Sequence, residues 1–240
     1  MCGRFALSIV PAEFERVFGC APPEGIVDRW NIAPDSAIVV VRAGEGGVPE
    51  AAFVRWGLLG PWAKEANDPG RQINARVETA ASKPMLRDAF RRGRCLIPAS
   101  GFYEWQKKGS GPAQPFFIGL ESGEPFAFAG LWRANRLADG SVLETCTILT
   151  TAASLLLKPI HHRMPVILPT ASHALWLDPT VKDTGLLEAL LIPRPDSELA
   201  VRAVGRAVNN PRNEGPSLAE PLGQREERAP EPGPAQGSLW

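Results

Sequence analysis

The sequence lacks the features of membrane, secreted and zinc-binding proteins. It contains no apolar run of the about 18 residues that a membrane span needs, and its first residues do not resemble a secretory signal. Its four cysteines form no CxxC pair, and its three histidines stand at no zinc-finger spacing. We therefore expect a cytoplasmic protein with free thiols, no metal site and no cofactor.

Net charge is absent as well. The 26 Lys and Arg residues balance the 26 Asp and Glu residues, which excludes a strongly basic nucleic-acid coat protein but leaves room for a local basic cleft. The 240 residues, 44% apolar and 22% charged, fit one globular domain. We place that domain at 1–215, because 216–240 is rich in Pro, Gly, Glu and Ala and predicts a disordered C-terminal tail.

Short strands dominate the predicted domain. They are rich in β-branched or aromatic residues and are separated by Gly, Pro and polar turns, at 37–43, 51–59, 94–105, 115–121, 126–133, 144–151 and 164–169. Helical spacing and end signals predict three helices, at 11–19, 82–93 and 170–178. Strands outnumber helices and are not regularly interleaved with them. The predicted class is therefore α+β, with a mainly antiparallel, barrel-like sheet and a few flanking helices.

Cys2 stands out because only Met1 precedes it. Removal of Met1 would leave an amine and a thiol on neighbouring carbons, both partly nucleophilic near neutral pH. The amine can condense with an aldehyde to a Schiff base, which the thiol can close to a thiazolidine ring. Alternatively, the thiolate can attack an amide carbonyl with the amine as its base. A third interpretation is an accidental cysteine in a frayed terminus.

Two other segments place polar groups in strand-like sequence. Asn74 and Arg76 of INARVETA would share one face of an extended chain, where Asn can polarise a carbonyl and Arg can hold a phosphate. A polar loop is the alternative. Glu104 of GFYEW alternates with Tyr103 and Trp105. It is either a solvent-facing strand residue or a buried acid or base.

The segment KPIHHRMPVIL contains the adjacent His161 and His162. An extended chain points them to opposite sides, so we expect at most one in a site, where a single imidazole suits acid–base chemistry better than metal binding. Arg163 is a candidate clamp for a phosphate or a carboxylate. Two rigid aromatic loops can cap a core or stack on bases, and they contain Asn31, Pro34 and Trp62.

The ordered set of motifs is more specific than any one of them. The chain contains, in this order, MCGRF, WNIAP, RWGL, INARVETA, CLIPASGFYEW, LTTAA, IHHRMPVIL and AVNNPRNEG. This set extends to about Gly215 and resembles the SOS-response-associated peptidase (SRAP) family, the abasic-site processing proteins. The resemblance implies the β-rich fold of that family and removal of Met1. It also implies that Cys2 reacts with the ring-opened aldehyde of an abasic deoxyribose in single-stranded DNA, giving a thiazolidine DNA–protein cross-link.

The resemblance also implies a role for each candidate residue. Cys2 corresponds to the nucleophile, and Asn74 to the asparagine that positions Cys2 and the sugar. Glu104 corresponds to the acidic residue that assists Schiff-base chemistry, and His161 to the acid or base that acts on the sugar ring. Phosphate-binding arginines correspond to Arg4 and Arg76, and groove-shaping positions to Asn31, Pro34, Trp62, Thr150, Arg163 and Asn209.

The resemblance further implies a role in the SOS and DNA-damage response, with an AP-lyase activity and autocatalytic removal of Met1. The expected partner is single-stranded DNA that contains abasic sites, which would bring a monomeric cytoplasmic protein to the nucleoid.

Three alternatives stay open. A glutamine amidotransferase with an N-terminal nucleophile would form a thioester at Cys2 and use Asn74 as an oxyanion donor, but the chain has no matching glutamine-binding motif. A peptidase acting on other proteins is the second alternative. The third is a non-enzymatic binder of single-stranded DNA in which Cys2 is incidental.

Overall fold

Strands make up most of the regular structure, as β-branched and aromatic segments separated by turns predict. The computed structural model describes residues 2–223. Its strands are β1 Phe5–Leu7, β2 Arg29–Ile32, β3 Ala37–Ala43, β4 Pro49–Trp56, β5 Asn74–Arg76, β6 Arg94–Ala99, β7 Gly101–Gln106, β8 Gln114–Leu120, β9 Phe126–Arg136, β10 Val142–Ala152, β11 Arg163–Pro165, β12 Ile167–Leu168 and β13 Leu199–Ala203. Its α-helices are α1 Pro11–Phe18, α2 Val77–Ala80, α3 Arg87–Arg92, α4 His173–Leu177 and α5 Thr184–Glu188.

Five strands close into a barrel. β3 pairs antiparallel with β4 and β6, β6 with β9, and β9 with β10. The ring closes where β10 runs parallel to β4, with Thr145 opposite Arg55. Every residue of β6 is buried, including the charged Arg94, because the strand is covered on both of its faces. Gly130 of β9 permits the close approach of β6, since a Cβ there would lie 2.8 Å from Cys95 Sγ.

A second, antiparallel sheet packs against the barrel in the order β13-β8-β7-β1-β2. β1 lies inside this sheet, between β7 and β2, and pairs with both. The ring of Phe5 in β1 meets the rings of Trp56 and Phe128 of the barrel edge-on, with centroids 5.4 and 5.8 Å apart. One apolar core therefore joins the barrel to the second sheet, and it fixes the start of the chain against that core.

The predicted class is confirmed: the fold is β-rich, mainly antiparallel and barrel-like, with few and short helices. The single strand predicted at 94–105 is wrong, because the chain leaves the barrel at Ser100 and enters the second sheet as β7. Ser100 stabilises this break, since its backbone N–H donates to Ala6 O at 2.8 Å and its hydroxyl donates to Ser8 O at 2.9 Å.

The predicted helices are confirmed only in part. The helix at 11–19 is α1, which ends where Gly19 adopts φ 73° and donates its N–H to Glu15 O. The helix at 82–93 shrinks to α3, and the helix at 170–178 shrinks to α4 after a 3-10 turn at Thr170–Ser172. None of the helices in residues 2–223 is both long and apolar enough to cross a membrane.

The packed chain continues beyond residue 215, where the sequence predicts the end of the domain. Leu218 and Ala219 are buried, and Pro221 forms a β-bridge with Val204. Residues 216–223 of the predicted tail therefore pack on the domain, and 224–240 lie outside the described residues.

Candidate active site

The start of the chain is held in the core. Cys2 is 0% exposed, and its carbonyl accepts a hydrogen bond of 2.8 Å from Asn74 Nδ2. Its Sγ lies 3.8 Å from Arg4 O. The frayed-terminus interpretation of Cys2 is therefore wrong: the residue packs in front of β1 and is positioned from β5, 72 residues later in the chain.

The Cys2 thiol has an unusual environment for a nucleophile. Burial raises the pKa of the Cys2 thiol well above its ordinary value, and the nearby Glu104 carboxylate raises this pKa further. The thiol is therefore protonated at neutral pH. A reaction at this sulfur needs a base beside it, or a step in which another group attacks first.

Glu104 lies in β7, the strand next to β1, and is buried. Its neighbour Tyr103 points to the other face of the sheet, where the Tyr103 hydroxyl donates to Trp30 O at 2.8 Å. The alternation of β7 thus directs a carboxylate towards Cys2, and the buried alternative for Glu104 is the one that the structure shows.

His161 lies at the end of the loop that joins β10 to β11, and its ring is half-buried. The Arg163 backbone N–H donates to His161 Nδ1 at 3.0 Å. Nδ1 also lies 3.1 Å from Arg163 O, so the Arg163 backbone fixes the orientation of the His161 ring. The ring stacks on exposed His162 with centroids 4.4 Å apart. Gln106 Nε2 donates to Pro159 O at 3.0 Å and ties this loop to β7, two residues beyond Glu104.

β10 organises the other half of the site. Beyond its pairing with β4, β10 runs parallel to β5, with Ile148 opposite Asn74 and Thr150 opposite Arg76. Thr150 is buried and its hydroxyl donates to Ala75 O at 3.3 Å. The pairing holds Asn74 and Arg76 on one face of β5, as the sequence predicts, with Arg76 exposed.

Arg163 is buried and clamps a carboxylate. Its guanidinium forms a bidentate pair with Glu78 of α2, with Nη2 2.9 Å from Oε2, and also donates to Thr150 O. The sequence leaves a phosphate and a carboxylate as alternative partners of Arg163, and in the structure the partner is the Glu78 carboxylate. The pair braces α2 directly behind Arg76, and the Arg163 guanidinium holds the pKa of Glu78 below its ordinary value. Contact of Arg163 or Thr150 with DNA stays a prediction.

Arg4 and Asn31 bind each other. Arg4 Nη1 donates to Asn31 Oδ1 at 2.6 Å and to Val208 O at 2.9 Å. The Asn31 amide, 1% exposed, donates to Asn210 O and Asn213 O, both at 2.9 Å. Desolvation lowers the pKa of the Arg4 guanidinium. The two side chains lock the 206–213 segment onto β1 and β2, and their contacts with DNA stay predictions.

The remaining predicted groove residues reach the surface. Trp62 is 60% exposed and packs beside Gly60. Pro34 is half-buried before Asp35, and exposed Asn209 accepts a 2.7 Å hydrogen bond from Trp105 Nε1 through Oδ1. The sequence analysis assigns no role to Trp105, which follows Glu104 in β7 and binds Asn209.

A basic recess of about 340 Å³ opens beside Asn74. Arg71, Arg76 and Lys83 supply its charged lining, with Asn74 at the end nearest Cys2. Sequence reasoning missed Arg71 and Lys83, because one precedes INARVETA and the other follows it without any motif. Within residues 2–223, His, Cys, Asp and Glu side chains form no group of three that could hold a metal ion.

Comparison with known proteins gives consistent results. The family described as SOS response associated peptidase (SRAP) matches residues 1–211. The chain is 38% identical over 226 residues to the abasic site processing protein YoqW of Bacillus subtilis, covering 92% of this chain and 99% of that one. It is 30% identical to the abasic site processing protein YedK of Escherichia coli, with 92% and 100% covered. A crystal structure of a protein from Bacteroides thetaiotaomicron shares the fold, with a TM-score of 0.81 at 22% identity over 92% of this chain and 99% of that one.

Proposed function

This chain belongs to the SOS response associated peptidase (SRAP) family, and we propose that it processes abasic sites in DNA by covalent capture at Cys2. The observation that carries the proposal is the buried Cys2, held by Asn74 and facing the Glu104 carboxylate. The printed names of its relatives, abasic site processing proteins, agree with this chemistry. The protein would act in the cytoplasm as part of a DNA-damage response.

The reaction begins at an abasic sugar, which is mainly a closed hemiacetal. His161 donates a ring proton to O4′ as the C1′–O4′ bond breaks and takes up the proton of the C1′ hydroxyl, so that C1′ becomes an aldehyde carbon and the imidazole ends in the protonation state in which it started. After removal of Met1, the Cys2 α-amine attacks C1′ and forms the C–N bond. Glu104 moves a proton from the nitrogen to the new hydroxyl, which leaves as water and gives the imine.

The thiol then closes the ring. Sγ adds to the imine carbon, and the thiol proton ends on the nitrogen through Glu104. A thiazolidine results, with one new C–N and one new C–S bond and the loss of one water. The raised pKa of the Cys2 thiol supports this order, because a protonated thiol does not compete with the amine for the aldehyde. It disfavours a thiolate-first amide hydrolysis of the amidotransferase type.

Binding of the DNA strand would rest on exposed groups around β5. Arg76 lies on the same face as Asn74 and can hold a phosphate next to the reacting sugar. A buried nucleophile needs an unstacked sugar that can reach it, so the proposed substrate is single-stranded. The same imine also permits β-elimination, so the proposal includes an AP-lyase activity. The peptidase activity would then be limited to autocatalytic removal of Met1 and would not extend to other proteins.

The test is incubation with abasic single-stranded DNA followed by denaturing electrophoresis, with intact mass to establish loss of Met1. The wild type should give a heat-stable adduct. Cys2→Ala should give an adduct only after borohydride trapping, while Cys20→Ala, which removes a half-buried thiol away from the site, should behave as wild type. A heat-stable adduct of Cys2→Ala without reductant would sink the thiazolidine. Ammonia release from glutamine would favour the amidotransferase, and reversible binding alone would favour the non-enzymatic binder.

The acid–base roles make a separate prediction. His161→Ala and Glu104→Ala should each slow cross-linking by about 10²- to 10⁴-fold, the usual contribution of a general acid or base. Affinity for intact single-stranded DNA should stay near the wild-type value, since neither residue is proposed to grip phosphate. The measurement is a pH–rate profile for wild type and both variants. Unchanged rates across the profile would make both residues structural.

A further inference from the structure

The part of the basic recess that Arg71 and Lys83 line has no role in the chemistry described above. Its charged lining consists of Arg71, Arg76 and Lys83, and Ile73 and Leu86 supply its apolar lining. Among residues 2–223, no carboxylate and no aromatic ring lines it. A recess with cations but no stacking surface suits a phosphate group better than a nucleobase.

Arg71 is held in a fixed orientation by one carboxylate. Arg71 Nε donates to Asp35 Oδ1 at 2.8 Å, and Arg71 Nη2 donates to Asp35 Oδ2 at 3.0 Å. The same Asp35 accepts from Arg55 Nη2 at 2.8 Å. Arg71 Nη1 makes no hydrogen bond within residues 2–223, so its two hydrogens stay available for a further acceptor.

The backbone conformation of Asp35 is consistent with a role in fixing the orientation of Arg71. Asp35 has φ 68°, the left-handed region, and within residues 2–223 it is the one non-glycine residue with a positive φ. This conformation is uncommon for residues with a side chain and persists where the surroundings demand it. Here it directs one carboxylate to two arginines. The charges of Arg55, Arg71 and Asp35 sum to +1, and Arg76 and Lys83 add +2, so the recess stays positive.

We infer that this recess binds a phosphodiester of the DNA strand next to the reacting abasic nucleotide, with Arg71 and Lys83 as its ligands and Asp35 as the residue that positions Arg71. The inference rests on the proposed function for its choice of DNA as ligand. Asn74 links the two places, because it lines the recess and also binds the Cys2 carbonyl. A strand whose sugar lies at Cys2 therefore brings a neighbouring phosphate to the recess.

The experiment uses the full chain and a set of single-stranded oligonucleotides with a central tetrahydrofuran, a non-reactive abasic analogue. In each oligonucleotide one linkage is a neutral methylphosphonate. Wild type should lose affinity at several linkages. Arg71→Ala should weaken binding of the unmodified strand by about threefold to tenfold, as an exposed charge-assisted contact does. The affinity of Arg71→Ala should also stay unchanged when one particular linkage, the one that Arg71 contacts in the wild type, is neutralised.

Two further variants sharpen the result. Asp35→Asn keeps a residue that tolerates a positive φ and leaves the Arg71 charge in place. It should weaken coupling to that same linkage. Lys83→Ala should lower the salt slope by about 0.7, the value for one lost phosphate contact on a single strand. Arg16→Ala, which removes the same charge from a residue outside this recess, is the matched control.

An equal loss for Arg71→Ala at every linkage, or the same pattern as wild type, would overturn the inference. Cross-linking of a reactive abasic strand by the wild type is measured alongside. If no cross-link forms but the linkage-specific loss is present, the proposed function fails and the phosphate site stands. If the cross-link forms but no linkage couples to Arg71 or Lys83, the proposed function stands and the phosphate site fails.

Discussion

Asn31→Ala offers a direct measure of how strongly the 206–213 segment is locked onto the second sheet. The Asn31 amide donates to Asn210 O and Asn213 O at 2.9 Å, and its Oδ1 accepts from the Arg4 guanidinium at 2.6 Å. Truncation leaves two partly buried carbonyls and a desolvated cation with fewer partners. Two neutral hydrogen bonds and one charge-assisted bond together contribute about 3–5 kcal/mol. Val208 O also accepts from Asn31 Nδ2, at 3.3 Å, but it keeps its bond from Arg4 in the variant. We therefore add nothing for Val208 O to this free energy.

The assay is thermal unfolding followed by circular dichroism. For a domain of this size the loss corresponds to a fall in Tm of about 6–20 °C. Asn209→Ala is the matched control, since this exposed neighbour makes one hydrogen bond, to Trp105 Nε1, and should lower Tm far less. If Asn31→Ala unfolds at the wild-type temperature, the hydrogen bonds of Asn31 do not stabilise the folded protein. The role in the DNA groove that the sequence predicts is then the better account of Asn31.

Two other predictions follow from contacts described above. Glu78→Gln removes the carboxylate that Arg163 clamps; because Arg163 lowers the pKa of Glu78, the stabilisation is present above the unfolded-state pKa and is lost as pH falls through the folded-state pKa. The Tm difference between wild type and Glu78→Gln should therefore be positive at pH 7 and shrink towards zero in acid, and a difference that grows in acid would contradict the pairing. Gly101→Ala places a Cβ 2.1 Å from the buried Phe117 ring and should destabilise the protein by about 1–3 kcal/mol in urea unfolding. Gly111→Ala, which meets no atom closer than 3.8 Å, is its control and should unfold as wild type.

The parts of the fold that were predicted from the sequence are those whose signal is local. β3 and β8 agree with the predicted strands within a residue, because β-branched and aromatic runs between turns specify strands directly. β1, β2 and β5 were missed, since each is only three or four residues long. Their strand conformation depends on partners that lie far along the chain, such as β7 for β1.

The same division applies to the candidate site. The order of the motifs predicts Cys2, Asn74 and Glu104 as site residues, and β-strand alternation places Asn74 and Arg76 on one face. What Arg163 binds was left open by the sequence, because the deciding Glu78 lies 85 residues away. Asn31 was assigned to a groove, yet its partners lie about 180 residues later. Such contacts depend on tertiary packing, which no local pattern encodes.

The place of β1 between two strands has a consequence for events on the ribosome. β1 cannot pair with β7 until residue 106 has been synthesised. At about 5–20 residues per second, that takes about 5–20 s from the start of translation. During this interval the nascent N-terminus is open to an aminopeptidase, whereas in the folded protein Cys2 is 0% exposed. Any trimming ahead of Cys2 by another enzyme would therefore have to compete with folding.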